Sequence, residues 1–223
     1  MIEIVSATRC SGQEFLNSAL GMSLQRLNDD PRIKLHVTVA NSQGLPEIYN
    51  ARITAPESPE HLVFVHDDVS LGDPSVVDRV LEGLKTFDVI GVAGNRRRIP
   101  RQPAWPFVNT RWTWDNRAYL SGAVAHGPAP FKVFMWYGQV PAECELLDGV
   151  FLAVRKSALL AAGVLFDRQF PFHFYDMDFC RTARKKGLRL GTWPICITHQ
   201  SIGNFESAAW FNGYQAYLTK WGD

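Results

Sequence analysis

His61-Leu62-Val63-Phe64-Val65-His66-Asp67-Asp68-Val69 is the stretch on which both the fold and the chemistry turn. Leu62 to Val65 is a continuous apolar run rich in β-branched and aromatic residues, the pattern of a strand buried on both faces. It ends abruptly on one His and two Asp. In an open α/β sheet, ligands bind in the crevice beyond the carboxyl ends of the strands, so polar groups at such an end are candidates for a site. Adjacent carboxylates repel unless water, a cation or a basic group offsets their charge. A divalent ion holding a phosphate meets that need. Asp also caps helices and shapes turns, and this segment taken alone leaves that reading open.

Upstream of it, Ile2 to Val5 reads as a first strand. Ser11 then caps a helix whose apolar residues Phe15, Leu16, Leu20, Leu24 and Leu27 recur at helical spacing, and Asn28-Asp29-Asp30-Pro31 stops it. A second strand, Ile33 to Val39, ends in the loop Asn41-Ser42-Gln43-Gly44, and Leu45 to Ile53 suits a short helix. Downstream, Asp73-Pro74 opens a helix from Ser75 to Leu84, and Val89 to Ala93 is a fourth strand. This alternation predicts an α/β fold with a mostly parallel central sheet flanked by helices.

The regularity breaks after Ala93. Gly94 to Pro106 carries Arg96-Arg97-Arg98, Arg101 and several prolines, and Arg111 to Tyr119 alternates aromatic and polar residues as a solvent-edged hairpin does. Phe131 to Tyr137 is a further strand candidate. Glu145 to Val154 reads as a buried strand interrupted by Asp148-Gly149, with a helix over Lys156 to Ala162. Phe172 to Tyr175 leads into Asp176, which starts a helix that ends on Arg184-Lys185-Lys186 and Gly187. Acid first, base last and glycine after agree with the helix dipole and a C-terminal glycine cap. Leu190 to Ile197 is a late strand that delivers His199, and Phe205 to Trp221 is aromatic-rich and helical.

The chain of 223 residues suits one domain with a large core. A formal charge of +1 gives no global attraction to nucleic acid or to an anionic membrane, so any anion must be held locally. Cys10, Cys144, Cys180 and Cys196 lie far apart and read as buried thiols of a reducing, cytoplasmic compartment. No signal peptide or spanning segment is visible, which leaves a peripheral membrane or protein partner as the route to any surface.

Three groups stand at strand ends or helix starts: His66-Asp67-Asp68, Asp176-Met177-Asp178 and His199. One Asp and a distant His, completed by phosphate oxygens and water, would satisfy Mn²⁺ or Mg²⁺. Asp178 is expected to face solvent or cap its helix, and His173, His126 and His36 to be structural or exposed. Arg96-Arg97-Arg98 reads as a solvated loop or a phosphate- or acceptor-facing one. Trp105, Trp112, Trp114 and Trp136 suit either sugar stacking or packing.

Taken in order, strand-His66-Asp67-Asp68-Val69, then Asp148-Gly149-Val150-Phe151-Leu152-Ala153-Val154-Arg155-Lys156, then Phe174-Tyr175-Asp176-Met177-Asp178-Phe179, then His199-Gln200-Ser201-Ile202-Gly203 resemble the successive landmarks of family 2-like glycosyltransferases with the GT-A fold. The resemblance implies a single domain whose residues 1–95 bind a nucleotide-sugar donor and whose residues 96–223 hold a glycan or other hydroxyl acceptor. His66-Asp67-Asp68 falls on the D-x-D element. Asp68 would then bind the metal and the diphosphate, with Asp67 near the ribose or sugar and His66 in place of the first acid. Asp176 falls on the acid that serves as catalytic base in inverting members, with Tyr175 in place of the preceding Glu. His199 matches a late His of the metal shell, and Asp148-Gly149 a turn beside sugar and acceptor. On the donor side, Thr8-Arg9 and Asn41 follow the first two strands, Asn41-Ser42 replacing an Asp that helps read the nucleobase. Two further readings stand beside it: a non-catalytic nucleotide- or glycan-binding protein, and a metal-dependent hydrolase using His66, Asp68 and His199.

Overall fold

Strand β1 (Ile2–Ala7) is buried along almost its whole length and becomes an inner strand of the larger sheet. The computed structural model describes residues 1–27, 29–128, 132–201, 203 and 205–223. The helix expected after Ser11 is broken in two, α1 (Gly12–Phe15) and α2 (Ala19–Leu27). Ser11 and Glu14 form a reciprocal capping box at the first. Ser18 Oγ accepts the Gly21 N–H at 3.0 Å and restarts the second. A Cβ on Gly21 would stand 2.0 Å from the Phe15 carbonyl oxygen, so the break packs the two turns at a distance only glycine allows. Asn28, in the expected stop, lies outside the described residues.

Next come β2 (Ile33–Thr38), α3 (Leu45–Thr54) with Pro46 in its first turn, β3 (His61–Val65), β4 (Val69–Leu71) and α4 (Val76–Thr86). The chain continues through β5 (Val89–Gly91), β6 (Ala93–Asn95), β7 (Leu120–His126), β8 (Val133–Gly138), β9 (Ala142–Glu143), β10 (Leu146–Leu147) and β11 (Phe151–Arg155). It closes with α5 (Lys156–Ala162), α6 (Tyr175–Lys185), β12 (Leu190–Thr192), β13 (Ile197–His199) and α7 (Ala208–Trp221). Phe131, the expected start of the β8 strand, is outside the described residues.

The larger sheet has seven strands in the order β2-β1-β3-β11-β5-β12-β9. β1 runs parallel to β2 and β3, and β12 parallel to β5, as the alternation predicts. β11 inserts antiparallel between β3 and β5, and β9 lies antiparallel at the edge. A second sheet of six strands, β10-β6-β7-β13-β4 with β8 on β7, is antiparallel apart from the β7–β13 pair. Three stretches expected as single strands instead divide between the two sheets. Val89 to Ala93 changes sheet at Val92, Glu145 to Val154 at Asp148–Val150, and Leu190 to Ile197 at Trp193–Cys196. Pro194, which lacks an amide donor, sits in the last of these breaks. A fourth crossing, from β3 to β4, is His66-Asp67-Asp68 itself.

Arg111 to Tyr119 is not a hairpin but a run of turns with one bridge, Phe107 to Trp114. Its alternation misleads because Asp115 points inward: the carboxylate is buried, pairs with Arg97 and accepts the Asn95 amide at 2.9 Å. Arg98 is likewise engaged, 3.2 Å from Asp223. Two of the three arginines therefore fasten the loop to the body. Asp178 also departs from expectation. It is buried, 2.7 Å from Lys220 Nζ, and accepts the Trp221 indole N–H at 2.9 Å, so it anchors α7 on α6. Cys144 and Cys180 are buried as expected, whereas Cys196 is exposed and Cys10 half-buried; all four thiols are free. Among the described residues, no helix is long and apolar enough to cross a membrane.

Candidate active site

Two of the four crossings between the sheets, His66-Asp67-Asp68 and Asp148–Val150, line one cleft of about 610 Å³. β13 pairs antiparallel with β4 so that His199 stands opposite Val69, beside Asp68. That register brings His199 Nε2 to 3.3 Å from Asp68 Oδ2 across a long sequence separation. Ligand atoms of His66, Asp68 and His199 all lie within 4.8 Å of one another.

Two details fit this triad to a divalent ion. Asp68 Oδ1 is buried with no hydrogen-bond partner, a costly state unless something binds it. The Tyr175 hydroxyl donates its one proton to the Gly149 carbonyl at 2.8 Å, so its oxygen takes the Nε2–H of His66 at 2.9 Å. That network fixes the tautomer and leaves the His66 Nδ1 lone pair available as a ligand. Burial lowers the His66 pKa and keeps the ring neutral. For His199, burial opposes the charged form, but the Asp68 partner outweighs it and the pKa rises. Burial pushes Asp68 up, yet His199 and Ser201 outweigh that and hold its carboxyl well below the usual range.

Across the cleft floor, Phe174 at φ 65° turns the chain sharply into α6 and sets Asp176 in the first helical turn. Asp176 Oδ2 accepts the Gly149 N–H at 3.0 Å, and Oδ1 accepts the Met177 N–H at 2.8 Å. Burial and the nearby Asp148 push its pKa up to about 7, against the pull of those amides. Gly149 permits this approach: a Cβ there would stand 2.4 Å from the Tyr175 hydroxyl oxygen and 2.9 Å from Asp176 Cβ. A titratable carboxylate poised near neutrality, beside a metal-competent triad, has the makings of acid–base chemistry on a metal-held substrate.

The model of the glycosyltransferase-like family matches residues 19–214. The chain belongs to that family. No curated protein matches it. Among similar solved structures, a mutant of Drosophila β-1,4-galactosyltransferase 7 in complex with manganese, UDP-Gal and xylobiose superposes with a TM-score of 0.51 at 10% identity. The match covers 91% of this chain and 71% of that one. A mannosyltransferase from Pyrobaculum calidifontis, in complex with GDP-Man and Mn²⁺, gives 0.48 at 12% identity over 97% and 59% of the two chains. A 4-diphosphocytidyl-2C-methyl-D-erythritol synthase from Anaerococcus prevotii gives 0.49 at 9% identity over 98% of each. Likeness at such identities is likeness of fold, here the GT-A arrangement.

In this glycosyltransferase the expected metal-side residues His66, Asp67, Asp68 and His199 line the cleft, as do Asp148, Gly149, Tyr175 and Asp176. Thr8, Arg9 and Asn41 are not in its wall. Thr8 is buried, and its hydroxyl donates to Asp67 Oδ2 while accepting the Cys10 N–H at 3.1 Å. It orients Asp67. Asn41 folds back on its own loop through the Gln43 carbonyl at 2.8 Å, and Arg9 is exposed. Tyr175 is buried, with its hydroxyl engaged by His66 and Gly149, so it positions the imidazole. Sequence reasoning missed His126 and His173, both in the cleft wall. Parallel pairing of β7 with β13 sets His126 level with His199, their rings 5.9 Å apart, a register that no local pattern announces. Of the four tryptophans singled out, Trp105 and Trp114 line the cleft.

Proposed function

We propose that the chain moves a sugar from a nucleotide-sugar donor to an acceptor hydroxyl, with inversion, using Asp176 as base and a metal held by His66, Asp68 and His199. The observation that carries this is the meeting, in one cleft, of that triad with a carboxyl whose pKa rises to about 7. Asp176 would accept the proton of the attacking hydroxyl as its oxygen bonds to the anomeric carbon. The bond from that carbon to the diphosphate breaks, and its electron pair leaves with the nucleoside diphosphate. A base on the face opposite the leaving group predicts inversion. His66, Asp68 and His199 would hold a metal that would supply charge neutralisation for the diphosphate. Asp67, oriented by Thr8, would meet the donor's ribose or sugar. The manganese and UDP-Gal of the Drosophila complex support a nucleotide sugar as the donor class.

Two imidazoles and one carboxylate form a softer donor set than Mg²⁺ prefers, so Mn²⁺ is proposed as the metal. Four free thiols support a reducing, cytoplasmic compartment; two disulfides found on thiol counting of native protein would overturn that. Calorimetry with UDP and GDP tests the main reading. Binding should require Mn²⁺ and vanish in Asp68→Ala. Equal affinity in Mn²⁺ and in EDTA would sink it.

A further inference from the structure

Beyond the metal triad the cleft changes character. His126 Nε2 lies 3.2 Å from the Tyr137 hydroxyl, and Tyr137 opens an aromatic wall. Its ring packs edge-on against Trp105 at 4.9 Å and stacks near-parallel with Trp114 at 6.0 Å and 25°. Phe107 meets Trp114 at 4.9 Å and Phe205 at 6.2 Å, so the wall is continuous. Trp114 is 46% and Phe205 40% exposed, which leaves broad apolar faces open to the cleft.

Charge decides what can lie there. Among the described residues, no Lys, Arg, Asn or Gln lines the cleft, whereas Asp67, Asp68, Asp148 and Asp176 do. Apart from His199 and the metal, which the donor diphosphate would engage, the cleft offers an anionic acceptor such as a sugar phosphate or uronic acid only carboxylates. A sugar laid on the wall would turn some of its hydroxyls toward aromatic faces that offer them no hydrogen bond, a loss of about 1–3 kcal/mol for each such group. A flat apolar ring loses nothing of the kind and gains aromatic contact.

Resting on the glycosyltransferase reading above, we propose that the acceptor is an uncharged glycoside carrying an aryl aglycone, its ring seated against Trp114, Phe107 and Tyr137. The aglycone supplies the binding, and the sugar is held with a hydroxyl toward Asp176.

Titration of the full chain, followed by calorimetry and tryptophan fluorescence, tests this with phenyl β-D-glucoside, octyl β-D-glucoside, glucose and glucose 6-phosphate, each with and without Mn²⁺ and UDP or GDP. Phenyl glucoside should bind at least tenfold tighter than glucose or glucose 6-phosphate, and should still bind when nucleotide is saturating. Trp114→Ala should remove most of that preference, and Trp114→Phe should keep it, which separates lost stacking from lost folding. Equal binding of phenyl glucoside and glucose, or tighter binding of the phosphate, overturns the proposal. So does tighter binding of the octyl glycoside, which would point to an alkyl chain. Displacement of phenyl glucoside by nucleotide would make the wall a nucleobase site and overturn it too. Metal-dependent nucleotide binding is read in the same titrations, so failure of the glycosyltransferase reading shows separately.

Discussion

Asp176 is held between two backbone amides that favour its ionised form and a buried, acidic surrounding that does not. The surrounding wins, with a pKa of about 7. A carboxyl raised from 3.8 to about 7 makes the folded state bind the extra proton, so its contribution to stability is present at low pH and lost as pH rises to about 7. Asp176→Asn cannot accept from both Gly149 and Met177, because its amide nitrogen must face one of them, so it carries a constant cost. The difference in stability between variant and wild type should nevertheless move in the variant's favour between pH 4 and 7, read by urea unfolding at each pH. Activity should fall on the order of 10²–10⁴ with nucleotide binding intact, and the wild-type kcat/KM should climb through about pH 7. His66 yields a second expectation. His66→Asp restores a harder donor and should shift metal preference from Mn²⁺ toward Mg²⁺ by tenfold or more, measured as the ratio of the two affinities. An unchanged ratio would remove His66 from the metal.

At the scale of elements, α7 is held by its end. Asp178 on α6 receives Lys220 and the Trp221 indole, Asp223 binds Arg181 at 2.7 Å, and the Arg181 guanidinium lies 4.2 Å from the Trp221 ring. Burial raises the Asp178 pKa despite these partners, so desolvation outweighs their attraction. Without Asp178, Lys220 keeps its pair with Asp167 at 2.7 Å and the Trp221 indole N–H loses its acceptor, so Asp178→Ala should cost about 1–2 kcal/mol by chemical denaturation. Asp178→Asn keeps an acceptor for Trp221 and should cost less. The helix itself was legible as an aromatic-rich run from Phe205 to Trp221; it starts at Ala208, where Ser207 caps it by accepting the Trp210 N–H at 3.1 Å, and Gly222 ends it in the left-handed region. The role of Asp178 was not legible, because an Asp two residues into a helix reads alike whether its partner is water or a lysine from the chain's far end. The divided strands were hidden for a related reason. Val89 to Ala93 is apolar throughout and buried in either sheet, so no periodicity marks where it changes from one to the other.

Over the whole molecule, the parallel half of the larger sheet and the acidic strand end could be read from alternation and from one abrupt change of polarity. The second sheet could not, since its pairings join residues far apart in the chain, His199 to Val69 and Ala93 to Gly122 among them. The candidate site was therefore legible as residues before it was legible as a place. That place is the seam: His66 and Asp68 join β3 to β4, Asp148 and Gly149 join β10 to β11, and His199 closes β13. A ligand bound there touches both sheets at once and should stabilise them as one unit. Mn²⁺ with UDP or GDP at 100 times its Kd should add ~2.7 kcal/mol, since it binds only the folded chain. For a protein of this size that is a rise in Tm on the order of 5–10 °C. Calorimetric unfolding should show one transition that moves as a whole, and Asp68→Ala should abolish the shift while still unfolding in a single step. Two transitions, of which only one moved with ligand, would mean that the sheets unfold separately and that the seam does not couple them.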